Sequence, residues 1–169
     1  EIVETYGTGA LTMRTLAASA GVASGTVYNY FENKEEVLLL LTESYWQGAL
    51  AELKSVLRPG KFTGQLQQVF EFLRERIGEE GGVLMGSLGG VRSAGRERMR
   101  GMQSAVEEEL ALRLEQDASI RPGTWTAEFT RERFSEFVFE NMLCRIRGGE
   151  SEIGFFLEAV GRILYGEQA

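Results

Sequence analysis

The apolar residues of this chain recur mainly at helical spacing, and no segment alternates as a half-buried strand does. One continuous stripe consists of Leu66, Val69, Phe70, Leu73 and Ile77. Residues three and four positions apart fall on one face of a helix, so this stripe predicts an amphipathic helix. The chain has only 2 prolines, and therefore few interruptions to helices. The pattern predicts an all-α protein of about nine helices.

Start and stop signals divide the N-terminal part into short helices. Thr12 is a suitable N-cap for a helix whose apolar stripe is Met13, Leu16, Ala17 and Ala20. Gly21 suits the left-handed position just past that helix. A short helix over residues 24–30 follows, and Asn33 with Glu36 three residues later predicts the start of a long helix over about 34–57.

The rest of the chain predicts further helices at about 66–77, 99–114, 126–146 and 151–164. A glycine-rich stretch over residues 81–95 is expected to hold a short helix near Leu84, Met85 and Leu88. Two Arg-Pro-Gly sequences, at residues 58–60 and 121–123, separate helical segments.

Two short helices joined by a tight glycine turn, with a longer helix behind them, form the pattern of a helix-turn-helix. On a helical wheel of residues 24–31, Val27 and Phe31 share one side, with Ser24 and Tyr28 at its edge. The opposite side carries the small or hydrogen-bonding residues Gly25, Thr26, Asn29 and Tyr30. Such a face suits a helix that enters the major groove of DNA.

The outward residues of this short helix offer the chemistry that DNA recognition needs. Gly25 permits close backbone approach, and the amide of Asn29 can pair with an adenine edge. Tyr28, Tyr30 and Lys34 are long enough to reach phosphates. The alternative is that the aromatic residues are core side chains of a helical bundle and that Lys34 is a solvated charge.

These residues, taken in order, closely resemble the DNA-binding domain of the TetR (tetracycline-repressor) family. The resemblance rests on Gly7 and on residues 12–17, 20–22, 25–31 and 33–38, within the first 38 residues of the chain. It implies that Thr26, Tyr28, Asn29, Tyr30 and Lys34 face DNA, with Thr12 and Arg14 at the start of the preceding helix. Where the family often has Ser-Lys, this chain has Ala23-Ser24 and lacks that charge. The expected DNA-binding residues are Thr12, Arg14, Ser24, Gly25, Thr26, Tyr28, Asn29, Tyr30 and Lys34.

The last two predicted helices are each apolar on two faces, so each needs cover on two sides. In the final helix one face carries Ile153, Phe156, Leu157, Val160 and Leu164, and another carries Phe155, Ala159 and Ile163. In the TetR family the last two long helices pair with their symmetry mates, which predicts a homodimer. The alternative is that the core of a single chain covers both faces.

A pocket for a small hydrophobic or amphipathic effector is expected among the middle helices, because adaptable and aromatic side chains collect there. The expected ligand-binding residues are Trp46, Phe70, Leu73, Met85, Met99, Met102, Phe137 and Asn141. Each apolar member, taken alone, is better explained as a core residue than as a ligand contact. The Asn141 amide lies in an apolar stripe and must find a partner, either a backbone carbonyl, which is slightly favoured, or a ligand.

Composition weighs against catalysis. The chain has no histidine and 1 cysteine, which removes the usual general base and the common zinc ligands. We expect no enzymatic activity, no metal and no cofactor. No apolar stretch is long enough to cross a membrane, and a single cysteine cannot form an internal disulfide, so a cytoplasmic protein is expected.

Charge is the main argument against DNA binding. The net charge is −7, and residues 1–57 hold seven acidic and three basic side chains. We expect a helix-turn-helix domain over residues 1–45, with its first helix truncated, and a ligand-sensing and dimerisation domain over 46–169. The expected function is a bacterial transcriptional regulator, a repressor that a small apolar ligand releases from a near-palindromic operator. The alternative is a helical ligand-binding or scaffolding dimer that has lost DNA binding.

Overall fold

The computed structural model describes residues 2–78, 84 and 93–166, with the backbone alone for Glu4 and residues 93–99. Within these ranges the chain forms helices joined by turns and loops, and no strand. The α-helices are α1 (Ile2–Tyr6), α2 (Met13–Ala20), α3 (Ser24–Tyr28), α4 (Lys34–Val56), α5 (Phe62–Arg76), α6 (Ser93–Gln116), α7 (Arg131–Arg147) and α8 (Gly154–Tyr165). A short 3-10 turn, Thr8–Ala10, lies between α1 and α2.

The all-α prediction is therefore confirmed, but the described residues hold fewer helices than the sequence predicted. The described ranges hold eight α-helices, whereas the sequence predicted about nine. The short helix expected near Met85 and Leu88 lies outside the described residues. None of the described helices is both long and apolar enough to cross a membrane.

The chain divides into two compact units. The first comprises Glu1–Ala49 and Arg76–Met102, and the second comprises Leu50–Glu75 and Gln103–Ala169. Both α4 and α6 contribute residues to each unit. The division into functional domains at residues 45 and 46 stays a prediction.

A small apolar cluster supports the N-terminal helices of the first unit. Its buried members are Leu11, Met13, Ala17, Val27, Val37 and Leu38. Phe31 packs against this cluster while partly buried, as the helical wheel predicted for the side opposite the polar face. Ala20, expected in the buried stripe of α2, is instead exposed. It is the last residue of α2, where the chain already turns away.

The second unit has the larger core, and the stripe predicted for α5 is its centre. Leu66, Val69 and Phe70 are almost completely buried, and Leu73 is buried with them. The other helices add Leu110, Leu114, Phe134, Val138, Met142, Phe156, Val160 and Leu164. At about 1.5–3 kcal/mol for each large apolar side chain, this burial is the main stabilising contribution of the unit.

Several predicted helix boundaries differ from those of the structure. α3 ends at Tyr28, so Tyr30 lies beyond it. α7 begins at Arg131, not near 126, because the Thr130 hydroxyl caps its N-terminus by accepting from the Arg133 N–H. Thr126 instead forms a local turn in which its hydroxyl accepts from the Phe129 N–H at 3.0 Å. α8 begins at Gly154, three residues after the predicted start.

The Asp117 carboxylate forms hydrogen bonds with segments of the second unit that are distant in sequence. One of its oxygens accepts the Phe62 N–H at 2.8 Å, at the start of α5, and the Tyr165 hydroxyl at 2.6 Å, at the end of α8. Its other oxygen accepts the Ser119 N–H at 2.9 Å. Arg121 adds a hydrogen bond to the Ile163 carbonyl at 3.1 Å.

The hydrogen bonds of this network set the acidity of both groups. Burial alone would raise the pKa of Asp117, but hydrogen bonds from Ser119, Tyr165 and the Phe62 backbone hold that pKa below its ordinary value. Burial, together with the bond to Asp117 and its negative charge, raises the pKa of Tyr165 to about 12. The two shifts agree in direction, since both favour an ionised Asp117 beside a protonated Tyr165.

Candidate DNA-binding face

Reciprocal capping fixes the start of α2. The Thr12 hydroxyl accepts the Thr15 N–H at 3.0 Å, and the Thr15 hydroxyl oxygen accepts the Thr12 N–H at 2.9 Å. Thr15 also donates its hydroxyl proton to the Ala10 carbonyl at 2.9 Å, which joins α2 to the preceding turn. Thr15 was not singled out in the sequence, although a second threonine three residues after Thr12 is the spacing of a capping box.

A left-handed glycine ends α2 and begins the turn to α3. Gly21 has φ +67° and ψ +28°, and its N–H bonds to carbonyls of the last turn of α2. Side chains with a Cβ rarely adopt this conformation, so glycine is the suitable residue. The predicted helix end at Gly21 is confirmed.

α3 is held to the first unit by one buried side chain, Val27, and leaves its polar residues exposed. Ser24, Thr26 and Asn29 all face solvent, as does Gly25. Their side chains form no hydrogen bond with the described part of the chain. The face therefore presents unused donors and acceptors on a short, anchored helix.

The tyrosines on either side of Asn29 are also outside the core. Tyr28 is 57% exposed and Tyr30 is 76% exposed. The interpretation of both rings as bundle core is therefore wrong. The core takes Val27 and Phe31 instead.

The first turn of α4 borders this face. Asn33 caps it by accepting the Glu36 N–H at 2.9 Å, as predicted. The Glu36 carboxylate accepts the Glu32 N–H at 2.8 Å, so one acidic group is already occupied by the backbone. Lys34, the first residue of α4, is partly buried, and no ion pair engages it within the described ranges. We call α2, α3 and this turn (residues 12–36) the reading head.

The structure brings all nine sequence-predicted DNA-binding residues into the reading head of the first unit. Eight of them are exposed and Lys34 is partly buried. Thr12 differs from the others because its oxygen already serves as a cap. Exposed Glu32 and Glu35 stand nearby and keep the local charge from being strongly positive.

The predicted ligand-binding residues fall into both units. Trp46 and Met102 belong to the first unit and are partly buried. Phe70 and Leu73 lie in the core of the second. Met85 and the side chain of Met99 lie outside the described residues.

The remaining two members, Phe137 and Asn141, lie one turn apart on α7. Phe137 is exposed, although its ring centroid lies 6.2 Å from that of Phe134. The Asn141 amide donates to the Phe137 carbonyl at 2.8 Å. The partner of this amide is therefore a backbone carbonyl, the one of the two predicted alternatives that the sequence slightly favoured.

A groove of about 540 Å³ lies within the second unit, between α5 and α8. None of the predicted ligand-binding residues lines it. It is lined by Thr63, Gly64, Gln67, Gly154, Leu157, Glu158, Gly161, Arg162, Tyr165 and Gly166. A Cβ at Gly161 would lie 3.7 Å from the Thr63 methyl, so this glycine faces α5 of its own chain.

Sequence and structure comparisons bear on the reading head and on the fold. Residues 1–41 match the family described as bacterial regulatory proteins, tetR family. No curated protein sequence matches the chain.

Several solved structures share the fold. The transcriptional regulator FadR from Bacillus subtilis, in complex with stearoyl-CoA, is 18% identical with a TM-score of 0.60, over 99% of this chain and 94% of that one. A tetR-family regulatory protein from Rhodococcus RHA1 is 16% identical with a TM-score of 0.59, over 99% and 93%. The fatty acid degradation regulator FadR from Bacillus halodurans is 18% identical with a TM-score of 0.54, over 98% and 89%.

At these identities the likeness shows the fold alone, while the family match covers the reading head. The capped α2, the left-handed turn at Gly21 and the exposed face of α3 lie inside the matched residues. Residues 1–41, which contain the reading head, therefore match the DNA-binding part of the tetR family, and the described chain shares the helical fold of the solved regulators.

Proposed function

We propose that this regulator is a cytoplasmic repressor that binds a near-palindromic operator as a homodimer and is released by a small, largely apolar ligand. The observation that carries the proposal is the outward face of α3, whose polar side chains have no partner within the described residues. A five-residue helix cannot be stable alone, so its presence on the surface needs another reason. Recognition of base edges supplies that reason.

The roles within the reading head follow from reach and chemistry. Asn29 and Thr26 have short hydrogen-bonding groups that suit base edges, and Gly25 allows the backbone to approach. Tyr28 and Tyr30 are longer and also exposed, which suits contacts to phosphates. Lys34 supplies positive charge at the start of α4, where free backbone N–H groups also favour an anion.

A second candidate function is a helical ligand-binding or scaffolding dimer without DNA binding. The observation that favours it is charge, since residues 1–57 carry seven acidic against three basic side chains. Phosphate attraction drives much of the affinity for DNA, so this imbalance opposes binding. One of these acidic groups, Glu36, accepts a backbone N–H, but the excess of negative charge remains.

The dimer is proposed from the outward stripe of α8. Phe155 is 82% exposed, Ile163 is also exposed, and the small Ala159 lies midway between them. These residues are spaced four apart, so they share one face of the helix. The stripe is symmetric about Ala159, and two antiparallel copies of α8 would place Phe155 of one protomer opposite Ile163 of its partner.

The charges beside this stripe are compatible with the same arrangement. Glu158 and Arg162 are exposed and form an ion pair within one chain at 2.8 Å. In an antiparallel pair of α8 helices each could also meet the opposite charge of the other copy. The exposed residues Phe137 and Cys144 of α7 would extend this surface. An interface with the same patch on both sides is that of a two-fold dimer.

The ligand is proposed to be largely apolar and elongated, with fatty acyl thioesters as the first class to test. The Bacillus subtilis regulator of the same fold holds stearoyl-CoA. A ligand releases DNA only through its different affinity for the two arrangements of the dimer, with a typical coupling of about 1–3 kcal/mol. That coupling corresponds to about a 5–150-fold loss of operator affinity.

The test of DNA recognition begins with selection of bound fragments from genomic DNA by the full-length protein. On the selected operator, Asn29→Ala is expected to weaken binding about 5–150-fold, with little effect on random DNA. Lys34→Ala is expected to weaken binding to all sequences alike and to lower the salt slope by about one. Fluorescence anisotropy at several salt concentrations measures both effects.

Ser19→Ala is the matched control, because Ser19 is exposed on α2 but lies outside the expected DNA contacts. It should bind the operator as the wild type does. If no fragment is selected, or if both reading-head variants keep wild-type affinity while folded, the DNA-reading proposal is overturned and the scaffolding dimer takes its place.

A further inference from the structure

The indole nitrogen of Trp46 is a buried hydrogen-bond donor that has no acceptor among the described residues. Trp46 lies in the part of α4 that belongs to the first unit, and its ring is partly buried. Its Nε1 atom is closed off from solvent and forms no hydrogen bond with the described chain. Buried tryptophan N–H groups usually find a partner, so this atom calls for an explanation.

Three other buried side-chain atoms lack partners among the described residues, and they differ from Trp46. Gln65 leaves its Oε1 unpaired but donates through Nε2 to the Gly60 carbonyl at 2.8 Å. Arg145 leaves Nε unpaired but forms an ion pair with Glu150. Arg131 places its guanidinium 5.1 Å from the ring centroid of Trp125. Trp46 alone in this group has a single polar atom, and that atom is unused.

The neighbouring tyrosine holds the indole in a defined orientation. The rings of Tyr45 and Trp46 meet edge to face, with centroids 5.4 Å apart and planes at 86°. The Tyr45 hydroxyl donates to the Arg76 carbonyl at 3.4 Å, a long bond that links α4 to the end of α5 within the same unit. The donor of Trp46 is therefore held in one direction, and the described part of the chain offers it no acceptor.

An unpaired buried donor destabilises the free protein, and a molecule that brings an acceptor removes that cost on binding. One neutral N–H suits one neutral acceptor, such as a carbonyl oxygen. A carboxylate in the same place would lose more hydration and would need a paired charge. The rest of Trp46 is an apolar surface, which suits an apolar ligand body.

We propose that Trp46 is the specificity-determining donor of the effector site, and that its N–H binds a carbonyl oxygen on an otherwise apolar ligand. This proposal rests on the proposed ligand control and deepens it. It also replaces Asn141 as the orienting group, because the Asn141 amide is already bonded to the Phe137 carbonyl.

The experiment compares two probes that differ only in the carbonyl: S-decanoyl-CoA, a thioester, and S-decyl-CoA, in which a methylene replaces the carbonyl. Calorimetry gives the affinity of each probe for the full-length wild-type protein, Trp46→Phe and Trp125→Phe. The wild type is expected to bind the thioester about tenfold more tightly, the size of one hydrogen bond to a buried donor. Trp46→Phe should bind both probes alike, and Trp125→Phe should keep the tenfold preference.

Fluorescence of Trp125→Phe gives a second measurement that leaves Trp46 intact. The chain has 2 tryptophans, so all indole emission of this variant comes from Trp46. Decanoyl-CoA is expected to shift the emission to longer wavelength, because the N–H gains a hydrogen bond, and decyl-CoA should cause a smaller shift. This measurement decides the question if Trp46→Phe does not fold.

The outcomes separate this inference from the ligand proposal. If both probes bind equally to the wild type, Trp46 is not the specificity determinant, but the proposal of an acyl effector still stands. Equal binding is the result expected if a water molecule accepts the Trp46 N–H. A preference that survives in Trp46→Phe has the same meaning. If neither probe binds or releases operator DNA, the proposed acyl effector class fails, and the inference that depends on it fails too.

Discussion

The reading head and the last two helices expose opposite kinds of side chain. In the reading head the apolar residues of the cluster are buried, and polar groups such as Thr26 and Asn29 face solvent without hydrogen-bond partners among the described residues. In the second unit the polar groups around Asp117 bond to one another, and the large apolar Phe155 is outside. Free polar groups suit a polar surface such as DNA, whereas an exposed phenylalanine suits another protein surface.

The two regions also differ in what holds them in place. α3 has five residues and one buried side chain, so its position depends on neighbouring helices and on the caps at Thr12 and Asn33. α7 has 17 residues, and seven of them are buried in a continuous core. We expect perturbations of caps to affect the reading head most, and perturbations of burial to affect the last helices most.

The largest expected effect comes from breaking the exposed stripe of α8. Phe155→Glu should raise the dimer dissociation constant about 100-fold or more, because each two-fold dimer loses two apolar anchors and gains two buried charges. Operator affinity should fall with it, since two joined reading heads bind a palindrome far better than one. Analytical ultracentrifugation and anisotropy measure the two effects.

Phe155→Leu is the control, because it keeps an apolar side chain at the same place. It should remain dimeric at micromolar concentration. If Phe155→Glu is folded and as dimeric as the wild type, the contact proposed between α8 helices is wrong.

A smaller effect is expected from the polar network of the second unit. Asp117→Asn should cost about 2 kcal/mol of unfolding free energy at neutral pH, since an ionised acceptor of several hydrogen bonds is replaced by an amide that also donates. The pKa of Asp117 is lowered by folding, so its contribution is present above the ordinary value of 3.8 and is lost as the pH falls through the lower folded pKa. Urea unfolding at a series of pH values measures both quantities.

The matched control for Asp117 acts at the other end of the pH range. Tyr165, with its pKa raised to about 12, contributes stability that is present below its ordinary value of 10.0 and is lost as the pH rises through the raised value. Tyr165→Phe should therefore reduce the loss of stability at alkaline pH and leave most of the loss of stability at acid pH. If Asp117→Asn loses as much stability at low pH as the wild type does, the role given to this carboxylate is contradicted.

The smallest effect is expected at the cap of α2. Thr12→Ala removes the oxygen that accepts the Thr15 N–H and should cost about 1 kcal/mol of stability. Thr12→Ser keeps the oxygen and should recover most of that loss in thermal unfolding. Thr12→Ala with wild-type stability would mean that the cap contributes nothing and that Thr12 is free for DNA.

Local signals in the sequence were sufficient for the reading head. Thr12, Gly21 and Asn33 act through bonds to residues a few positions away, so their roles follow from spacing alone. Val27 could be assigned to the core because the residues of a short helix divide between one buried side and one exposed side. Tyr30 was placed in α3 wrongly, because where a five-residue helix ends depends on the packing behind it.

Features that depend on distant residues could not be predicted. Asp117 meets Tyr165 across 48 positions, and no local pattern indicates that pair. Phe137 fits an apolar stripe in the sequence, yet the fold leaves it exposed, because the burial of each face depends on which helices pack there. That the described residues offer no acceptor to the Trp46 N–H likewise depends on how the chain folds.

The unbonded outward face of α3 has a consequence for how such a regulator changes over generations. None of the side chains at Thr26, Tyr28 or Asn29 forms a hydrogen bond within the described chain, so replacing them removes no internal hydrogen bond. Exposed substitutions of this kind usually alter stability by no more than about 0.5 kcal/mol. New operator preferences can therefore arise, or be engineered, by single substitutions on a scaffold whose stability hardly changes.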